Sequence, residues 1–384
     1  MEGTEHIANK IVIVGGVAGG ASTAARLRRL NGDAEIILFE RGAYISYANC
    51  GLPYYVGGEI TQQSDLTLQT PQSLSSRFAI VVLAIGVRPE SGLARDAGLD
   101  INARGGIVVD QHMRTSDEHI YAVGDAVEVI NRMAGHKDMI PLAGPANKQG
   151  RVAADNLTGV GTSFGGTQGS SILRVFDKTA ACTGINEKTA KRLGIAYEKS
   201  FTYSGSHAGY YPGAEMMSVK LLFDPDTRAI LGTQIVGAQG VDKRCDVIAA
   251  IMGMGGAIDD LVRFEHCYAP PYSSAKDPVN MSGFVAENIL DGKVKIYHWH
   301  DVEEIAGRED ALLLDVRTNN EYRRGHISGS LNIPVDCLRQ RIRELDTARP
   351  VYVLCQIGLR GYIACRILAQ KGFTCFSLSG GYRL

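Results

Sequence analysis

The chain has 384 residues, which is enough for two or three domains that each bury a core of their own. Lysine and arginine together number 40 against 41 for aspartate and glutamate, and this balance argues against nucleic acid or a membrane surface as a partner. No apolar run approaches the roughly 20 residues that a membrane span requires. The N-terminal segment also lacks the apolar core of a signal peptide, so we expect a cytoplasmic protein.

The first predicted elements are those of a dinucleotide-binding βαβ unit. An apolar strand ends at Gly15, a turn containing Gly19 and Gly20 follows, and an apolar-periodic helix comes next. The start of such a helix binds a pyrophosphate, and an acidic residue at the end of the second strand binds a ribose hydroxyl. Glu40 ends the second apolar run, 20 residues after Gly20, and we count Arg41 beside it among the cofactor-binding residues. Because a valine stands where the fingerprint has its second glycine, a plain tight turn remains an alternative at this point.

A single cysteine, Cys50, follows in "SYANCGLPYY", between an asparagine and a glycine-proline turn. A redox dithiol needs a second sulfur close by, but no residue from Gly51 to Gly57 is a cysteine. We therefore expect Cys50 to find its sulfur partner on a substrate. Ser46 and Asn49 offer polar contacts to the sulfur, and the positive end of a helix favours the reactive thiolate form of a cysteine.

The other cysteines predict little chemistry. Eight are present, without a CxxC pair or a cluster spaced like a metal site. In a reducing compartment we expect about six of them to be small buried apolar residues. Cys50 and Cys355 are the exceptions, because each lies in a loop that we expect to expose it. The six expected in the core are Cys182, Cys245, Cys267, Cys337, Cys365 and Cys375.

Three further segments complete the chain. The run "TSDEHIYAVGDAVEV" predicts a short strand that delivers Gly124 and Asp125 to the end of a sheet, where the aspartate can accept hydrogen bonds from a sugar-like chain. From about Gly161, strand-like runs separated by turns precede a helical run over 244–264. After about residue 290 the chain restarts as a small α/β unit that ends at Leu384.

The first two of these segments resemble a known family. The run "IYAVGD" resembles flavoproteins of the pyridine nucleotide-disulfide oxidoreductase type, in which the aspartate binds the ribityl chain of FAD. The run "YISYANCGLPYYVGG", with "PLAGPANKQGR", "SHAGYYPGAE" and "YAPPYSSAKDPVNM", is similar to the single-cysteine branch of that family, the coenzyme A disulfide reductases and NADH-dependent persulfide reductases. The resemblance extends from residue 10 to about 290.

The resemblance implies specific roles. In the family the cysteine alternates between a thiolate and a mixed disulfide with coenzyme A, with FAD and NAD(P)H supplying the electrons, and Cys50 matches it. The equivalents of Ser46 and Asn49 line the thiol site. Tyrosines from the partner subunit of a homodimer assist the leaving thiolate, and Tyr210 and Tyr268 match them, with packing in a dimer interface as the alternative. An arginine on the first helix reaches the nucleotide phosphate, and the residues that match are Arg26 or, alternatively, Arg28 or Arg29, with ordinary solvated charges as the alternative for all three.

The last segment, residues 296–384, resembles a rhodanese domain on "ALLLDVRTNNEYRRGHISGSLNIP" and "LSGGY". Here "VYVLC" predicts a strand, residues 355–360 a six-residue loop, and "GYIACRILAQ" a helix. Successive backbone N–H groups in such a loop, aided by the helix N-terminus, stabilise a thiolate or persulfide anion. The resemblance implies that Cys355 carries sulfane sulfur and that Arg360 binds substrate. Asp315 and Arg317 are expected to brace the fold.

One piece of the family pattern is missing. A second βαβ unit for NAD(P)H, with its own glycine-rich turn, normally lies within the FAD domain, but no second turn of that kind occurs. The flanking segments meet near Ile80 and Val81. Either the sequence omits part of the polypeptide or the polypeptide carries a deletion. We favour omission, because a deletion would leave strands unpaired in a domain of marginal stability, and omission predicts a chain break between these two residues.

The sequence therefore predicts an α/β protein with a Rossmann-like FAD-binding domain over 1–160, an α+β dimerisation domain over 161–290 and a rhodanese α/β domain over 296–384. The predicted function is FAD-dependent, NAD(P)H-driven reduction of coenzyme A persulfide, polysulfide or coenzyme A disulfide by a homodimer. The alternative is a sulfur carrier, in which the flavoprotein half is a scaffold for dimerisation. The choice of NADH or NADPH and the direction of sulfur flow between Cys50 and Cys355 stay open.

Overall fold

The computed structural model describes residues 10–15, 18–39, 54 and 88–383. The chain divides into two compact units, Met1–Gly169 and Ser170–Leu384. No helix among the described residues is both long and apolar enough to cross a bilayer. Several predicted features lie outside the described residues, namely Glu40, Arg41, Ser46, Asn49, Cys50 and the join between Ile80 and Val81.

The first unit begins with the predicted strand, helix and strand. The two strands pair in parallel, with Lys10 opposite Glu35 and Val14 opposite Phe39. Alternation along the first strand points Ile11 and Ile13 into a small core, where they meet Leu27 of the helix. The elements are β1 (Lys10–Val14), α1 (Ala18–Leu30) and β2 (Glu35–Phe39).

The rest of this unit holds a small mixed sheet and a long helix. The predicted strand before Gly124 is wrong: the segment forms a single bridge, from Tyr121 to Arg114, and the strand begins only after Asp125. A strand needs several successive residues with ladder partners, and within the described chain Tyr121 is the residue of this segment that has one, Arg114. The elements are α2 (Gly92–Asp96), β3 (Ile107–Val108), β4 (Val127–Asn131), β5 (His136–Asp138) and α3 (Ala143–Leu157), with the sheet ordered β3-β4-β5.

The helices α1 and α3 pack unusually closely at Gly150. A Cβ atom at this position would lie 2.7 Å from the carbonyl oxygen of Gly19 and 2.9 Å from Oγ1 of Thr23. The Thr23 hydroxyl lies between the two backbones, 2.9 Å from the carbonyl of Gly19 and 3.2 Å from that of Gly150. Glycine at 150 is thus what lets α3 approach the start of α1.

The second unit opens with a five-stranded antiparallel sheet that carries four helices, which agrees with the strand-like runs of the sequence. The predicted helical run over 244–264 is two helices, because the backbone turns at Gly255, whose φ is +79°. The strands are β6 (Ser171–Val175), β7 (Lys178–Gly184), β8 (Glu198–Gly205), β9 (Met216–Phe223) and β10 (Ile230–Gly237), in the order β6-β7-β10-β9-β8. The helices are α4 (Glu187–Leu193), α5 (Val241–Gly253), α6 (Ile258–Arg263) and α7 (Pro278–Leu290).

The second unit ends in a parallel five-stranded sheet with helices, the α/β segment that the sequence predicted. Its strands β14 and β12 are almost wholly buried and read as continuous apolar runs, as expected when both faces of a parallel sheet are covered. The elements are β11 (Lys295–Tyr297), α8 (Val302–Ala306), β12 (Leu312–Asp315), α9 (Asn319–Arg324), β13 (Leu331–Asn332), α10 (Val335–Arg341), β14 (Val351–Leu354), α11 (Leu359–Ala369) and β15 (Cys375–Leu378), with the order β11-β15-β14-β12-β13.

The close approach of α1 and α3 generates a stability prediction. Replacing Gly150 by alanine forces the two backbones apart, and we expect a loss of about 1–3 kcal/mol in the free energy of unfolding, the usual cost of overpacking. Gly144 of the same helix is the matched control, since no described atom would lie within 4 Å of its Cβ. Gly144→Ala should be neutral or stabilise by up to about 1 kcal/mol. Urea denaturation measures both, and equal effects of the two substitutions would contradict the packing argument.

Candidate active sites

Gly15 and Gly20, on either side of the turn after β1, occupy positions that only glycine fits. Gly15 has a φ of +92°, and its N–H donates to the carbonyl of Phe39 at 2.7 Å. A Cβ atom at Gly20 would lie only 1.8 Å from the carbonyl oxygen of Gly15. Both positions therefore require glycine, and the free N–H groups at the start of α1 form an electropositive helix end.

The turn at Gly124 lies against this helix end. A Cβ atom at Gly19 would lie 3.0 Å from Cγ2 of Val123 and 3.5 Å from the amide nitrogen of Gly124. Gly124 has a φ of +95°, and its N–H donates to Oε1 of buried Gln149 at 2.7 Å. The carboxylate of Asp125 is exposed, and neighbouring protein atoms raise its pKa by displacing part of its water. Sequence reasoning missed Gln149, although it lies in the quoted run "PLAGPANKQGR".

A basic pocket of about 350 Å³ is lined by residues of α1 and α3. Arg26 lies in it and donates through Nε to the buried carboxylate of Asp155 at 2.8 Å. Arg28 points elsewhere, to the carbonyl of Gly32 at the end of the helix, at 2.6 Å. Arg151 is a further cation here, missed by sequence reasoning although it closes the same quoted run. The pocket is lined by Ser22, Ala25, Arg26, Arg29 and Arg151.

The two predicted tyrosines of the second unit meet. The hydroxyl oxygens of Tyr210 and Tyr268 lie 3.0 Å apart, although the residues are 58 positions apart in the chain. Tyr210 is 77% exposed and Tyr268 47% exposed, so the pair presents two hydroxyl groups to the surroundings. The hydrogen bond with Tyr210 raises the pKa of Tyr268, so this phenol keeps its proton to higher pH and remains available as a donor.

Cys355 lies at the carboxyl end of β14, and the prediction that its loop exposes it is wrong. Only 1% of the residue is accessible. The helix α11 begins at Leu359, two residues earlier than the sequence predicted, and so closes a short loop around the thiol. The backbone N–H of Gly358 donates to Sγ at 3.1 Å. The loop thus encloses the sulfur and points the N–H of Gly358 at it.

The turn at residues 381–383 hydrogen-bonds to the backbone of this loop and closes it. Tyr382 donates its N–H to the carbonyl of Cys355 at 2.7 Å, and Arg383 donates its N–H to the carbonyl of Gln356 at 3.0 Å. Gly381 has a φ of +68°, and a Cβ atom there would lie 2.5 Å from the carbonyl oxygen of Cys355. In the sequence analysis the run "LSGGY" served only to support the resemblance to a rhodanese domain. Its two glycines were the available signal that the backbone approaches another segment closely here.

Arg360, predicted to bind substrate, is held by an acidic partner. Its two terminal nitrogens each lie 2.7 Å from a carboxylate oxygen of Glu321, at the start of α9. The guanidinium group lowers the pKa of Glu321 to about 2. Asp315 and Arg317 form a buried ion pair at 2.7 Å, in agreement with a bracing role.

The remaining cysteines follow the prediction only in part. Cys245, Cys365 and Cys375 are buried, as expected of small apolar residues. Cys182 and Cys337 are partly exposed, and Cys267 is exposed because it precedes Tyr268 in a surface loop. No group of three or more histidine, cysteine or acidic residues in the described chain could hold a metal ion.

Three family models match the chain. A model described as pyridine nucleotide-disulphide oxidoreductase matches residues 58–150, and the model of its dimerisation domain matches residues 171–278. A rhodanese-like domain matches residues 298–384. The three matches follow one another along the chain without overlap.

Curated relatives and solved structures agree with these matches. The coenzyme A disulfide reductase of Staphylococcus haemolyticus is 34% identical over 62% of this chain, and that of Staphylococcus aureus is 30% identical over 62%. The chain spans about half the length of these relatives, 54% in both cases. The crystal structure of reduced Bacillus anthracis CoADR-RHD has a TM-score of 0.90 at 36% identity, covering 98% of this chain and 97% of that one. The NAD-dependent persulfide reductase from A. fulgidus has a TM-score of 0.85 at 28% identity, covering 97% and 99%.

The ion pair beside Cys355 predicts a pH-dependent contribution to stability. Because the pKa of Glu321 is lowered to about 2 in the folded chain, the pair stabilises fully above the unfolded value of about 4.3 and is lost as the pH falls towards 2. Glu321→Gln keeps the helix cap but removes the charge, and we expect it to lower stability by about 1 kcal/mol at pH 7, since both side chains are partly exposed.

Fluorescence of Trp299, the single tryptophan, reports urea unfolding of this part of the chain. The stability gap between wild type and Glu321→Gln should shrink steadily from pH 5 to pH 2.5. Glu344→Gln, which breaks the exposed pair with Arg341, is the control and should have little effect. A gap that stays constant over this range would contradict the lowered pKa.

Proposed function

We propose a sulfur-reductase function for this chain, which belongs to the pyridine nucleotide-disulphide oxidoreductase family and ends in a rhodanese-like domain. The proposed substrates are coenzyme A persulfide, polysulfide or coenzyme A disulfide, and the proposed nucleophile is Cys50. The observation that carries the proposal is the exposed pair of hydroxyl groups of Tyr210 and Tyr268, 3.0 Å apart. Such a pair is suited to meet a sulfur anion that leaves during S–S cleavage.

The proposed chemistry is an exchange at a sulfur–sulfur bond. The thiolate of Cys50 attacks one sulfur of the substrate, a new S–S bond to Cys50 forms, and the other sulfur leaves as a thiolate or hydrosulfide. Two electrons then return Cys50 to the thiolate and release the second sulfur group. Ser46 and Asn49 are proposed to line the thiol site, on the basis of the sequence.

The tyrosine pair is proposed to act on the leaving group. One hydroxyl donates to the departing sulfur anion while the other donates to the first, so that the pair shares the developing charge. The proposed assembly is a homodimer, in which each subunit offers its tyrosines to the site of its partner. The dimerisation-domain match and the exposure of both rings support this arrangement.

The residues of the first unit suit FAD. The proposed ligands are the N–H groups at the start of α1 and the turn at Gly124 and Asp125. Gly15, Gly19 and Gly20 have no side chains and so let the cofactor approach the start of α1. Gln149 fixes that turn through the N–H of Gly124. Glu40 and Arg41 are proposed on the sequence alone. When bound, FAD supplies the relay of two electrons from NAD(P)H.

The basic pocket is proposed to hold a phosphate group of coenzyme A. Arg26, Arg29 and Arg151 bring three positive charges against the one carboxylate of Asp155, which leaves a surplus of positive charge for an anion. Arg28 is excluded from this role because it caps the end of α1. The three arginines would thus anchor the substrate at its nucleotide end.

Cys355 is proposed to handle sulfane sulfur. Its thiolate accepts the outer sulfur of a donor, the donor's remaining group leaves as an anion, and the N–H of Gly358 stabilises the persulfide. A rhodanese-like domain has no evident task in reducing a plain disulfide, so we propose a persulfide rather than a disulfide as the substrate. This step rests on domain pairing.

A second candidate is a sulfur carrier without hydride chemistry. The observation that favours it is that the 384 residues contain no second glycine-rich turn for NAD(P)H. The seven described cysteines are free, which fits the reducing cytoplasm in either case. We prefer the reductase, because a carrier gives no task to the tyrosine pair.

Replacement of Cys50 tests the reductase. Cys50→Ser should abolish turnover of coenzyme A persulfide, a loss of at least about a thousandfold for a missing nucleophile, while the flavin stays bound. Absorbance at the flavin band and NADH oxidation are the two measurements. Cys182→Ser, a partly exposed thiol in the second unit, is the control and should keep full activity. Persistent turnover in Cys50→Ser would rule out the single-cysteine reaction.

Replacement of Cys355 separates the two chemistries. Cys355→Ser should abolish transfer of sulfur from thiosulfate to cyanide, because no persulfide can form, but spare reduction of small free persulfides. Cys337→Ser, in the same domain, should retain both activities. Thiocyanate formation and NADH oxidation are measured side by side. If both activities fell in a folded Cys355→Ser protein, sulfur would have to pass through Cys355 before reduction.

A further inference from the structure

A buried arginine, Arg244, connects the two segments that carry the tyrosine pair. It lies in the first turn of α5, and its side chain is 2% exposed. A guanidinium group has five N–H donors in a rigid plane and keeps its charge when buried, so each donor needs an acceptor. Its carboxylate partner is Asp277, equally buried, at 2.9 Å. The ion pair neutralises the charge and leaves other donors for the surrounding backbone.

Nη2, the nitrogen that also contacts Asp277, reaches both tyrosine segments. Nη2 of Arg244 lies 3.0 Å from the carbonyl oxygen of Ser206, four residues before Tyr210. The same nitrogen lies 3.3 Å from the carbonyl oxygen of Tyr272, four residues after Tyr268. One nitrogen of a buried side chain therefore contacts the backbone of both segments.

Further bonds tie the two segments at the same level. The N–H of Ala208 donates to the carbonyl of Ser273 at 2.9 Å. The hydroxyl of Ser273 contacts Nη2 of Arg244 at 3.2 Å and donates to Asp277 at 2.5 Å. Asp277 also accepts the N–H of Val279 and so caps α7. The network thus joins α5, α7 and both segments through groups that are buried.

The tyrosines themselves cannot fix their own separation. Both are exposed, and the described structure gives each hydroxyl only the other as its hydrogen-bond partner. A single hydrogen bond between exposed hydroxyls contributes little net stability. Their 3.0 Å contact must therefore come from the positions of the two segments, which the buried network sets.

We propose that Arg244 is a positioning residue for the proposed reaction: its guanidinium plane sets the distance between the Tyr210 and Tyr268 segments and thereby forms the hydroxyl pair. This inference rests on the proposed function for its catalytic meaning, but its structural content does not depend on any activity. Lysine at 244 keeps a positive charge for Asp277, but its side chain is one atom shorter, so its nitrogen does not reach the position of Nη2. It also lacks the Nε–H and Nη1–H donors that contact Asp277 and the carbonyl of Gly240.

The test compares Arg244→Lys with Arg228→Lys. Arg228 makes a two-pronged ion pair with Asp259 in the same part of the chain and contacts neither tyrosine segment in the described structure. 3-Fluorotyrosine is placed at position 268 alone, and its fluorine NMR signal is titrated in the full-length protein. Tyr210→Phe gives the signal of an uncoupled pair, with a lower pKa for the phenol at 268, because the Tyr210 hydrogen bond raises it.

We expect Arg244→Lys to lower that pKa as far as Tyr210→Phe does, and Arg228→Lys to leave it unchanged. Second-order turnover of coenzyme A persulfide should fall at least tenfold in Arg244→Lys and less than twofold in Arg228→Lys. A folded Arg244→Lys protein with the wild-type titration overturns the proposal, whatever its activity. A shifted titration with unchanged turnover upholds the positioning role and removes the tyrosines from the proposed reaction.

A second substitution keeps the test decisive if Arg244→Lys does not fold. Ser273→Ala removes only the hydroxyl that links Arg244 and Asp277 at the base of the second segment. In this variant too the pKa of the phenol at position 268 is expected to fall, but by less than in Tyr210→Phe. A titration identical to wild type in folded Ser273→Ala would then overturn the proposal.

Discussion

A sulfur anion that leaves a broken S–S bond needs hydrogen-bond donors, and the arrangement of donors governs the second unit of this chain. Under the proposed function, two places supply them in different ways. Around Cys355 the donor is the backbone N–H of Gly358, enclosed by the start of α11 and the C-terminal turn. At the tyrosine pair the donors are two exposed hydroxyl groups, 3.0 Å apart. Backbone donors are fixed by the fold, whereas exposed side-chain hydroxyls keep their positions only if other contacts hold the segments that carry them.

In the proposed arrangement a buried ion pair provides these contacts. The ion pair of Arg244 and Asp277 would be unfavourable alone, because both groups lose their water, and it is tolerated only when the remaining donors are also satisfied. The carbonyl groups of Ser206 and Tyr272, in the two tyrosine segments, and of Gly240 accept from them. Because the buried guanidinium group needs these carbonyl groups as acceptors, it restricts where the two tyrosine segments can lie. The same logic applies to Asp315 and Arg317, whose buried pair also contacts the carbonyl of Gly325.

The sequence predicted the elements whose patterns are strong and local. The strand, glycine turn and helix at the N-terminal end, the strand-like runs after Gly161 and the final α/β segment all follow from periodicity and glycine positions. It failed where a distant segment decides. Cys355 was expected to be exposed because it lies in a loop, but the turn at Gly381 to Arg383 hydrogen-bonds to that loop and closes it.

Contacts between distant segments explain the other omissions. Tyr210 and Tyr268 were identified separately, and nothing in the sequence indicates that their hydroxyls touch. Sequence reasoning did not single out Arg244, although its spacing from Val241 and Ile248 places it on the buried face of α5. An arginine on an otherwise apolar face was the available signal.

The central claim is that the chain reduces sulfane sulfur rather than only carrying it. The most direct measurement is the absorbance of the purified protein near the flavin band during successive additions of NADH and coenzyme A persulfide. The account predicts a yellow protein that NADH bleaches and that the persulfide recolours, with one hydrosulfide released for each NADH consumed. A protein that NADH leaves unchanged, while it still transfers sulfur from thiosulfate to cyanide, would contradict the account and favour the carrier.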